Sequence, residues 1–454
     1  MTITTIIESF ELKLKACVRE VPGKRMVFSG CWQDNDVFAK LFIHKESAER
    51  HWKREVAGLY LFKEAGILSP EILWCGKLPK IESVHNFENS YGLIVKAIPK
   101  AASFADEWEK TDDKKRLLNL LIPVLASHHN AGLIQTDLHF GNFIISDDLC
   151  YSLDGDALHK STAKITSGKA AENYALLTAQ AAVADEELFL DQIGSYCKIT
   201  GYDEPTFRAA VTKLLLDIRK RRCQKLLNKI YRECTAVNAI KNSGRRAFIH
   251  RPFDSEELKK CIENPDSLFP KDPNKLLKNG NSATVALAKI DGRKVVIKRY
   301  NYQKNIKTFI RRFRKSRASI SWSNAFRLKN YGLNTPEPIA LIETYKGPMM
   351  QFAYYISEYV EGADLEHYCK DPKNSDKLPD IKNEMESIFS VFKKCQILHG
   401  DCKATNFIFS NGQIYIIDLD AMKEYSNSNK FNIKHQKDLK RWLKNWEDTG
   451  LFKN

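Results

Sequence analysis

One spacing of acidic and amide residues occurs twice in this chain of 454 residues. In the first half, Asp137 is followed five residues later by Asn142 and 17 residues later by Asp154. An internal repeat with a period near half the chain length predicts two structural units of the same kind. The second half repeats both intervals with Asp401, Asn406 and Asp418.

Each repeat predicts a β-hairpin that follows the first aspartate. In the second half, two apolar stretches flank an Asn411-Gly412 turn, which is a strong signal for a two-residue hairpin loop. Because a hairpin brings its two ends together, the groups before and after it are expected to meet. Each half also carries an Asp two residues beyond the last position of the pattern, at Asp156 and Asp420.

This arrangement points to phosphoryl transfer from ATP with Mg²⁺, which prefers hard oxygen ligands. Asp401 would accept the proton of a hydroxyl, while Asn406 and Asp418 would bind the metal. An isolated Asp/Asn pair near a hairpin is more often a solvated turn, but its repetition favours a site. The equivalent roles in the first half fall to Asp137 as proton acceptor and to Asn142 and Asp154 as metal ligands.

A lysine inside an apolar strand precedes each pattern. Lys40 lies fifteen residues before Glu55, which belongs to an amphipathic helical stretch, and an ion pair between them would position nucleotide phosphates. Lys298, in the strand 294–300, has the corresponding position in the second half. Counting back from the glycine that ends each helix places Ser321 where the first half has Glu55, so the ion-pair glutamate is expected to be missing there.

The remaining organisation follows from strand and linker signals. An apolar strand near residue 356 would leave a small lobe, and the backbone of Glu358 and Val360 is expected to bind adenine. Three X-Pro steps punctuate a polar stretch that favours extended or turn structure. We therefore predict a first domain at 1–250, a linker at 251–278 and a second domain at 279–454.

The net charge of the chain indicates which classes of partner it could bind. The formal net charge is +15 with a pI near 9.1, which favours a phosphorylated glycan, an anionic membrane surface or a nucleic acid, unless the charge only aids dispersal. The basic run 298–317 predicts a small-lobe helix or a membrane-surface helix, with Ile306, Phe309, Ile310 and Phe313 at helical spacing. Nucleic acid is not expected, since the basic runs lack interleaved stacking aromatics in a recognised module.

The sequence predicts a cytoplasmic location. We find no secretory signal and no apolar stretch of about 18 residues, and the 11 cysteines are scattered without a C-x-x-C pair. That pattern suits reduced thiols better than a disulfide framework. A peripheral place on the inner face of the inner membrane follows if the basic run binds lipid.

Several segments of the second half carry a family resemblance, namely VVIKRYN, GLNTPEPIALIE, SEYVEGADL, HGDCKATN, IIDLD and DLKRWLKNW. They resemble the lipopolysaccharide core kinase family, whose members phosphorylate heptose or Kdo sugars of the inner core from ATP. The resemblance implies an α+β fold of two protein-kinase-like domains in tandem, each with a small, mostly β lobe and a larger, mostly helical lobe. It also implies a lipopolysaccharide core glycolipid as the acceptor.

Other functions are also compatible with the sequence. The HGDxxxxN pattern is shared with aminoglycoside and choline kinase-like enzymes, and a protein Ser/Thr kinase fits the same carboxylates. A regulatory protein in which one half is a pseudokinase is a further alternative. Gln135-Thr136 replaces the His-x before Asp137, and Ser321 replaces the helix glutamate, so each half departs once from the pattern.

Overall fold

The computed structural model describes residues 3–78, 90–242, 244–301, 314–447, 449 and 451–452. The chain divides into two compact units. Unit 1 comprises residues 1–181 and 185–215, and unit 2 comprises residues 182–184 and 216–454. The Ile306 to Phe313 part of the basic run lies outside the described residues.

Unit 1 begins with a six-stranded antiparallel sheet in the order β1-β2-β3-β4-β6-β5. Its central strand buries Val37, Ala39 and Leu41 at alternate positions, as the period-two pattern of the sequence predicts. The strands of this sheet are β1 (Ile3–Ile7), β2 (Phe10–Val21), β3 (Arg25–Trp32), β4 (Asn35–Phe42), β5 (Ile72–Lys77) and β6 (Tyr91–Lys96).

The rest of unit 1 is mainly helical, with two small antiparallel sheets in the orders β10-β9-β7 and β11-β8. Those strands are β7 (Ala102–Ser103), β8 (Leu133–Gln135), β9 (Phe143–Ser146), β10 (Leu149–Ser152) and β11 (Leu158–Lys160). The helices are α1 (Ala48–Glu64), α2 (Phe104–Lys110), α3 (Lys114–Asn130), α4 (Ser167–Thr178), α5 (Glu186–Asp191), α6 (Ile193–Thr200) and α7 (Glu204–Lys229), the last of which continues into unit 2.

Unit 2 repeats this plan with a seven-stranded sheet in the order β12-β13-β17-β18-β16-β15-β14. Two small antiparallel sheets follow, β19-β21-β22 and β20-β23. The strands are β12 (Val237–Asn242), β13 (Arg245–His250), β14 (Lys278–Asn279), β15 (Ala283–Ile290), β16 (Arg293–Tyr300), β17 (Pro338–Lys346), β18 (Met349–Glu358), β19 (Ala363–Asp364), β20 (Ile397–Leu398), β21 (Phe407–Ser410), β22 (Gln413–Ile416) and β23 (Lys423–Glu424).

Most of the described helices of unit 2 pack around one large core that contains Trp322, Phe392 and Trp442, and the helix Glu256–Glu263 packs into a second core. In α12, Phe431, His435, Asp438 and Trp442 are buried while the lysines between them are exposed, so this is an amphipathic helix. The described helices are α8 (Glu256–Glu263), α9 (Arg317–Asn330), α10 (Leu365–Lys370), α11 (Leu378–Cys395) and α12 (Ser428–Lys444).

The division of the chain differs from the one predicted at residue 250. Strands β12 and β13 belong to the sheet of unit 2, because β13 pairs along five residues with β17. The stretch predicted as a linker contains α8, whose Leu258 and Ile262 pack into the same core as Ile249. Their short length and polar flanks concealed these strands, since their apolar residues are only buried once β17 is in place.

The mixed α+β composition is confirmed. Both units place a short hairpin, β9-β10 or β21-β22, directly after the predicted proton acceptor. Among the described residues, no helix has both the length and the apolar content required to cross a bilayer. All 11 cysteines carry free thiols.

Candidate active site

The hairpin of unit 2 joins the predicted metal ligands. Asn411 and Gly412 both have positive φ, 49° and 78°, as a two-residue loop of the I′ type needs, and the strands on either side pair in register. As the second strand ends, the Ile417 N–H donates to the carbonyl of Asn406 at 2.9 Å. The side chains of Asn406 and Asp418 are thereby held at the same end of the hairpin.

His399 fixes the loop that carries Asp401. Its Nε2 donates to the Ile417 carbonyl at 3.0 Å, and its Nδ1 accepts the Asp401 N–H at 3.3 Å. Burial lowers the pKa of the His399 imidazole, which is 0 % exposed, so the neutral ring with its proton on Nε2 fits both bonds. The first histidine of HGD therefore has a structural role.

The Asp401 carboxylate is partly exposed and contacts two cations. Arg441 Nη1 donates to Asp401 Oδ1 at 2.7 Å, and Lys403 Nζ lies 3.6 Å from the same oxygen. The Asn406 amide nitrogen donates to the Asp401 carbonyl at 2.7 Å, which leaves the Asn406 amide oxygen for another partner. Gly400 N–H donates to Asp438 Oδ2 at 2.8 Å and ties the loop to α12.

Lys298 contacts two carboxylates. Its Nζ lies 2.5 Å from Asp418 Oδ1 and 2.8 Å from Asp420 Oδ2, and Arg317 binds both oxygens of Asp420 at 3.0 Å. Burial opposes ionisation of Asp418, but the Lys298 ammonium outweighs it and lowers the pKa of that carboxyl. Asp420 is only 5 % exposed in its side chain, so it is a buried anion between two cations.

Ser321 does not contact Lys298, in agreement with the expected absence of a helix glutamate. The Ser321 hydroxyl hydrogen bonds with Tyr300 at 2.9 Å. One turn further along α9, Asn324 donates to the Leu419 and Met422 carbonyls at 2.9 and 3.0 Å. The role that Glu55 has in unit 1 thus falls to Asp420, which the sequence presented only as an acidic residue of unassigned purpose.

A cavity of about 560 Å³ adjoins this cluster. Lys298, Asn406 and Asp418 line it together with the backbone region predicted to bind adenine, which includes Glu358 and Val360. Two amides of that region are already engaged, because Glu358 N–H donates to Glu337 O at 2.9 Å and Tyr359 N–H donates to Lys294 O at 3.2 Å. The predicted nucleotide residues and metal ligands of unit 2 therefore share one cavity.

Unit 1 contains the predicted Lys40–Glu55 ion pair. Glu55 is fully buried and its Oε2 also accepts the Asp156 N–H at 3.1 Å. Burial raises the pKa of Glu55 despite Lys40, whereas the Asp154 carboxyl, also opposed by burial, has its pKa lowered by Lys40 and by a hydrogen bond with Glu55. Lys40 therefore interacts electrostatically with both Asp154, the predicted metal ligand, and Glu55 of the helix.

A glycine pair explains why the helix of unit 1 can bring a glutamate to this point. A Cβ on Gly58 of α1 would lie 2.3 Å from the Cα of Gly155, so the backbones touch. In unit 2 the corresponding contact is between the Asn324 side chain and the Leu419 backbone. The Asn324 side chain occupies the space that the close contact of the two backbones takes up in unit 1. The carboxylate that binds the lysine of unit 2 is therefore Asp420, which follows the hairpin.

The substitution of Gln135 for the histidine before Asp137 preserves the local bonding. Gln135 Nε2 donates to the carbonyls of Leu153 and Asp154 at 3.0 and 2.8 Å, the same connection that His399 makes to Ile417. This departure from the family pattern leaves the loop of Asp137 anchored, and that carboxylate is exposed.

The donor sets fit a divalent cation that is bound together with nucleotide phosphates. In unit 1, Asn142 is 1 % exposed and its Oδ1 has no hydrogen-bond partner, while its Nδ2 lies 3.4 Å from the Asp137 carbonyl. A buried amide oxygen without a partner is costly and suits a ligand. Within the described part of the chain, no cluster of three His, Cys, Asp or Glu side chains could hold a metal by itself.

Residues 254–451 match the model of a family described as "Lipopolysaccharide core biosynthesis protein (WaaY)". The matched segment covers less than half of the chain, and it is similar to this family. The match agrees with the resemblance drawn from the sequence of the second half, and it supports a phosphotransferase. The match does not identify the acceptor sugar. The matched segment contains all the predicted catalytic and metal-binding residues of unit 2, together with the predicted phosphate-binding lysine, namely Lys298, Asp401, Asn406 and Asp418.

Solved structures give a weaker similarity. The chain is similar to "WaaP in complex with acyl carrier protein", with 15 % identity over 47 % of this chain and 89 % of that one, at a TM-score of 0.34. It is also similar to two WbdD structures, one titled as a bifunctional kinase-methyltransferase, with 15 % and 14 % identity, TM-scores of 0.32, and coverage of 47 % of this chain and 48 % or 49 % of theirs. TM-scores this low do not establish a common fold. No curated protein matches the chain.

Proposed function

We propose that unit 2 is an ATP- and Mg²⁺-dependent kinase that phosphorylates a sugar hydroxyl of the lipopolysaccharide core, on heptose or Kdo. The observation that carries the proposal is the convergence of Lys298, Asn406 and Asp418 on one cavity, with Asp401 hydrogen bonded to Asn406. The similarity of the same segment to the lipopolysaccharide core family supports the acceptor class.

The residues have separate roles in this reaction. The Glu358 carbonyl and the Val360 amide bind adenine, and Lys298 binds the phosphates while Asp420 orients it. Asn406 and Asp418 would hold Mg²⁺, which neutralises charge on the transferring phosphoryl group. Lys298 then exchanges its contact with Asp418 for the phosphates.

Asp401 accepts the proton as the acceptor hydroxyl forms its bond to the γ-phosphorus. The bond between that phosphorus and the bridging oxygen of ADP breaks, so the products are a phosphorylated sugar, ADP and a protonated Asp401. Because the carboxylate is partly exposed, the proton then passes to solvent. Asp401→Asn keeps the shape of this group but removes its basicity.

Unit 1 is proposed as a second kinase-like domain with its own nucleotide site. The Lys40–Glu55 pair, Asp154 and the unpartnered Asn142 oxygen support this, and together with unit 2 they support a tandem architecture. Asp137 has the position of a proton acceptor. We assign the phosphoryl transfer to unit 2 rather than to unit 1 because only unit 2 contains the family match.

The net charge of +15 supports an anionic acceptor that the protein binds at an anionic membrane surface. The use of ATP supports a location on the cytoplasmic side of that membrane. A protein Ser/Thr kinase and an aminoglycoside kinase share the same carboxylates, so acceptor choice is the test. Purified full-length protein would be incubated with γ-labelled ATP and, separately, with delipidated lipopolysaccharide core oligosaccharide, casein and an aminoglycoside.

We expect label in the oligosaccharide alone, with a loss on the order of 10²-fold or more in Asp401→Asn and with ATP binding retained. Asp137→Asn is the matched control in the other unit. Transfer to casein or the aminoglycoside would reject the glycan assignment. Full activity in Asp401→Asn, with loss in Asp137→Asn, would assign the chemistry to unit 1.

A further inference from the structure

A row of five exposed cations runs along one face of α12. Their spacings of four, three, four and three residues follow the helical period, so the side chains project from the same side. A different face of the helix, with Phe431 and Trp442, is buried in the core of unit 2. We call this row the α12 cation row, and it consists of Lys430, Lys434, Lys437, Arg441 and Lys444.

Helix stability does not account for the row. Lys430 lies in the first turn, where the helix dipole disfavours a cation, and like charges three and four residues apart repel each other. Among the described residues, Lys430, Lys434 and Lys437 have no ion pair with an acidic side chain. The single acidic residue of the helix, Asp438, is buried and accepts the Gly400 N–H. A face of this composition is complementary to a ligand that carries several negative charges.

The row leads to the proposed proton acceptor. Arg441 binds Asp401 Oδ1 at 2.7 Å, and Lys403 lies 3.6 Å from the same atom. A guanidinium on this oxygen occupies one of the lone pairs that could accept a hydroxyl proton. The Arg441 side chain is 49 % exposed, so it has room to turn toward another anion. Within the described residues, Asp137 of unit 1 has no such ion pair.

We propose that the α12 cation row binds phosphate or carboxylate groups of the acceptor glycan, and that Arg441 moves from Asp401 to one of them when the acceptor binds. The inference rests on the proposed kinase function of unit 2 and adds to it the class of acceptor. Binding of the correct, multiply anionic glycan frees Asp401 Oδ1 to accept the hydroxyl proton. A neutral sugar leaves Arg441 on Asp401 and is a poor acceptor.

The first experiment measures binding without catalysis. Titration calorimetry of the full chain would use delipidated, phosphate-bearing lipopolysaccharide core oligosaccharide and, as a neutral control, its dephosphorylated and carboxyl-reduced form. The triple variant Lys430→Gln, Lys434→Gln, Lys437→Gln should bind the charged form on the order of tenfold more weakly at low salt, with the difference shrinking as salt rises. Lys440→Gln, on the same helix but outside the row, should bind normally.

Unchanged binding in the triple variant would overturn the proposal. So would a loss of binding to phosphatidylglycerol vesicles with full binding of the soluble oligosaccharide, because the row would then be a membrane surface. If wild-type protein binds the oligosaccharide but transfers no label to it, the kinase proposal fails while the anion-binding row stands.

The second experiment tests the exchange at Asp401. Arg441→Gln should raise the KM for the charged acceptor on the order of tenfold and leave the KM for ATP unchanged, while transfer to the neutral form, slow in the wild type, should increase. Arg441→Lys should restore part of the acceptor affinity. An equal loss of kcat on both acceptors, with unchanged KM, would mean that Arg441 only positions Asp401 and would overturn the exchange.

Discussion

Asp420 Oδ2 lies 2.8 Å from the Lys298 ammonium and gives this lysine the buried carboxylate that Glu55 of α1 gives to Lys40. The two carboxylates come from different places, one from a helix and the other from the segment that follows the β21-β22 hairpin. Arg317, at the start of α9, binds both oxygens of Asp420 and thereby connects that helix to the lysine through a bridging carboxylate. The same ion-pair function is kept although the glutamate is absent.

Asp420→Asn is therefore expected to disable unit 2. The amide cannot balance Lys298 and Arg317, so the lysine is misplaced relative to the nucleotide, and kcat/KM for ATP should fall on the order of 10²-fold. Ser321→Ala is the matched control, because Ser321 bonds only Tyr300 among the groups of this cluster and should leave kcat/KM within about threefold. The reverse order of effects would return the anchoring role to α9.

We expect two nucleotide sites per chain. Titration calorimetry with a non-hydrolysable ATP analogue and Mg²⁺ should give a stoichiometry of about two, since each unit has a lysine, an amide and a carboxylate in matching positions. Lys40→Ala should remove one site and Lys298→Ala the other. A stoichiometry of one that Lys40→Ala does not alter would reduce unit 1 to a docking or regulatory domain.

Gln135 is expected to stabilise unit 1. It is 1 % exposed and donates to two carbonyls, so Gln135→Leu should lower the free energy of unfolding by about 2 to 4 kcal/mol. Gln135→His, which can keep one of these bonds as His399 does, should cost less. Thr136→Ser, at an exposed neighbouring position, keeps the hydroxyl that donates to the Ala157 carbonyl and should change stability by less than about 0.5 kcal/mol in the same urea titration. Equal stability of the leucine and histidine variants would refute the equivalence of Gln135 and His399.

Two buried histidines of α3 predict acid destabilisation of unit 1. Burial lowers the pKa of His128 to about 3 and of His129 to about 4. Above about pH 6.5 both are neutral whether the chain is folded or not, while between pH 6.5 and 4 the unfolded chain binds protons first. Stability should consequently fall as pH falls through this window, by up to about 1.4 kcal/mol per pH unit for each histidine.

The measurement is the slope of unfolding free energy against pH from urea titrations. His128→Gln with His129→Gln should flatten that slope, and His159→Gln, at an exposed position of the same unit, should not. A slope that the double variant shares with the wild type would assign the acid sensitivity to other groups.

The sequence predicted the hairpins β9-β10 and β21-β22 because their signals are local. Asp401, Asn406 and Asp418 lie within 18 residues, and the Asn411-Gly412 turn determines how the two strands meet. Lys298 and Lys40 were found for a similar reason, since each lies in a strand with a clear alternating pattern. The structure confirms that Lys298, Asn406 and Asp418 line one cavity.

What the sequence did not predict depends on contacts distant in the chain. Asp420 contacts Lys298, which is 122 residues away, and Arg441 contacts Asp401 from a helix 40 residues further along the chain. The strand β13 was assigned to the first domain because its partner β17 begins almost 90 residues later. Such pairings are selected by packing in three dimensions, and no local pattern encodes them.

The pairing of β13 with β17 also limits where this chain can be cut. A fragment that began at residue 254, where the family match begins, would lack β12, β13 and the Tyr231 hydroxyl that bonds the Ser319 and Ser323 hydroxyls of α9 at 2.7 and 2.6 Å. It would expose the hydrogen-bonding edge of β17 together with Leu341 and Ile342, which are fully buried in the intact protein. An open, apolar strand edge favours intermolecular sheet formation, so the segment that the family model matches is expected to aggregate when it is produced alone.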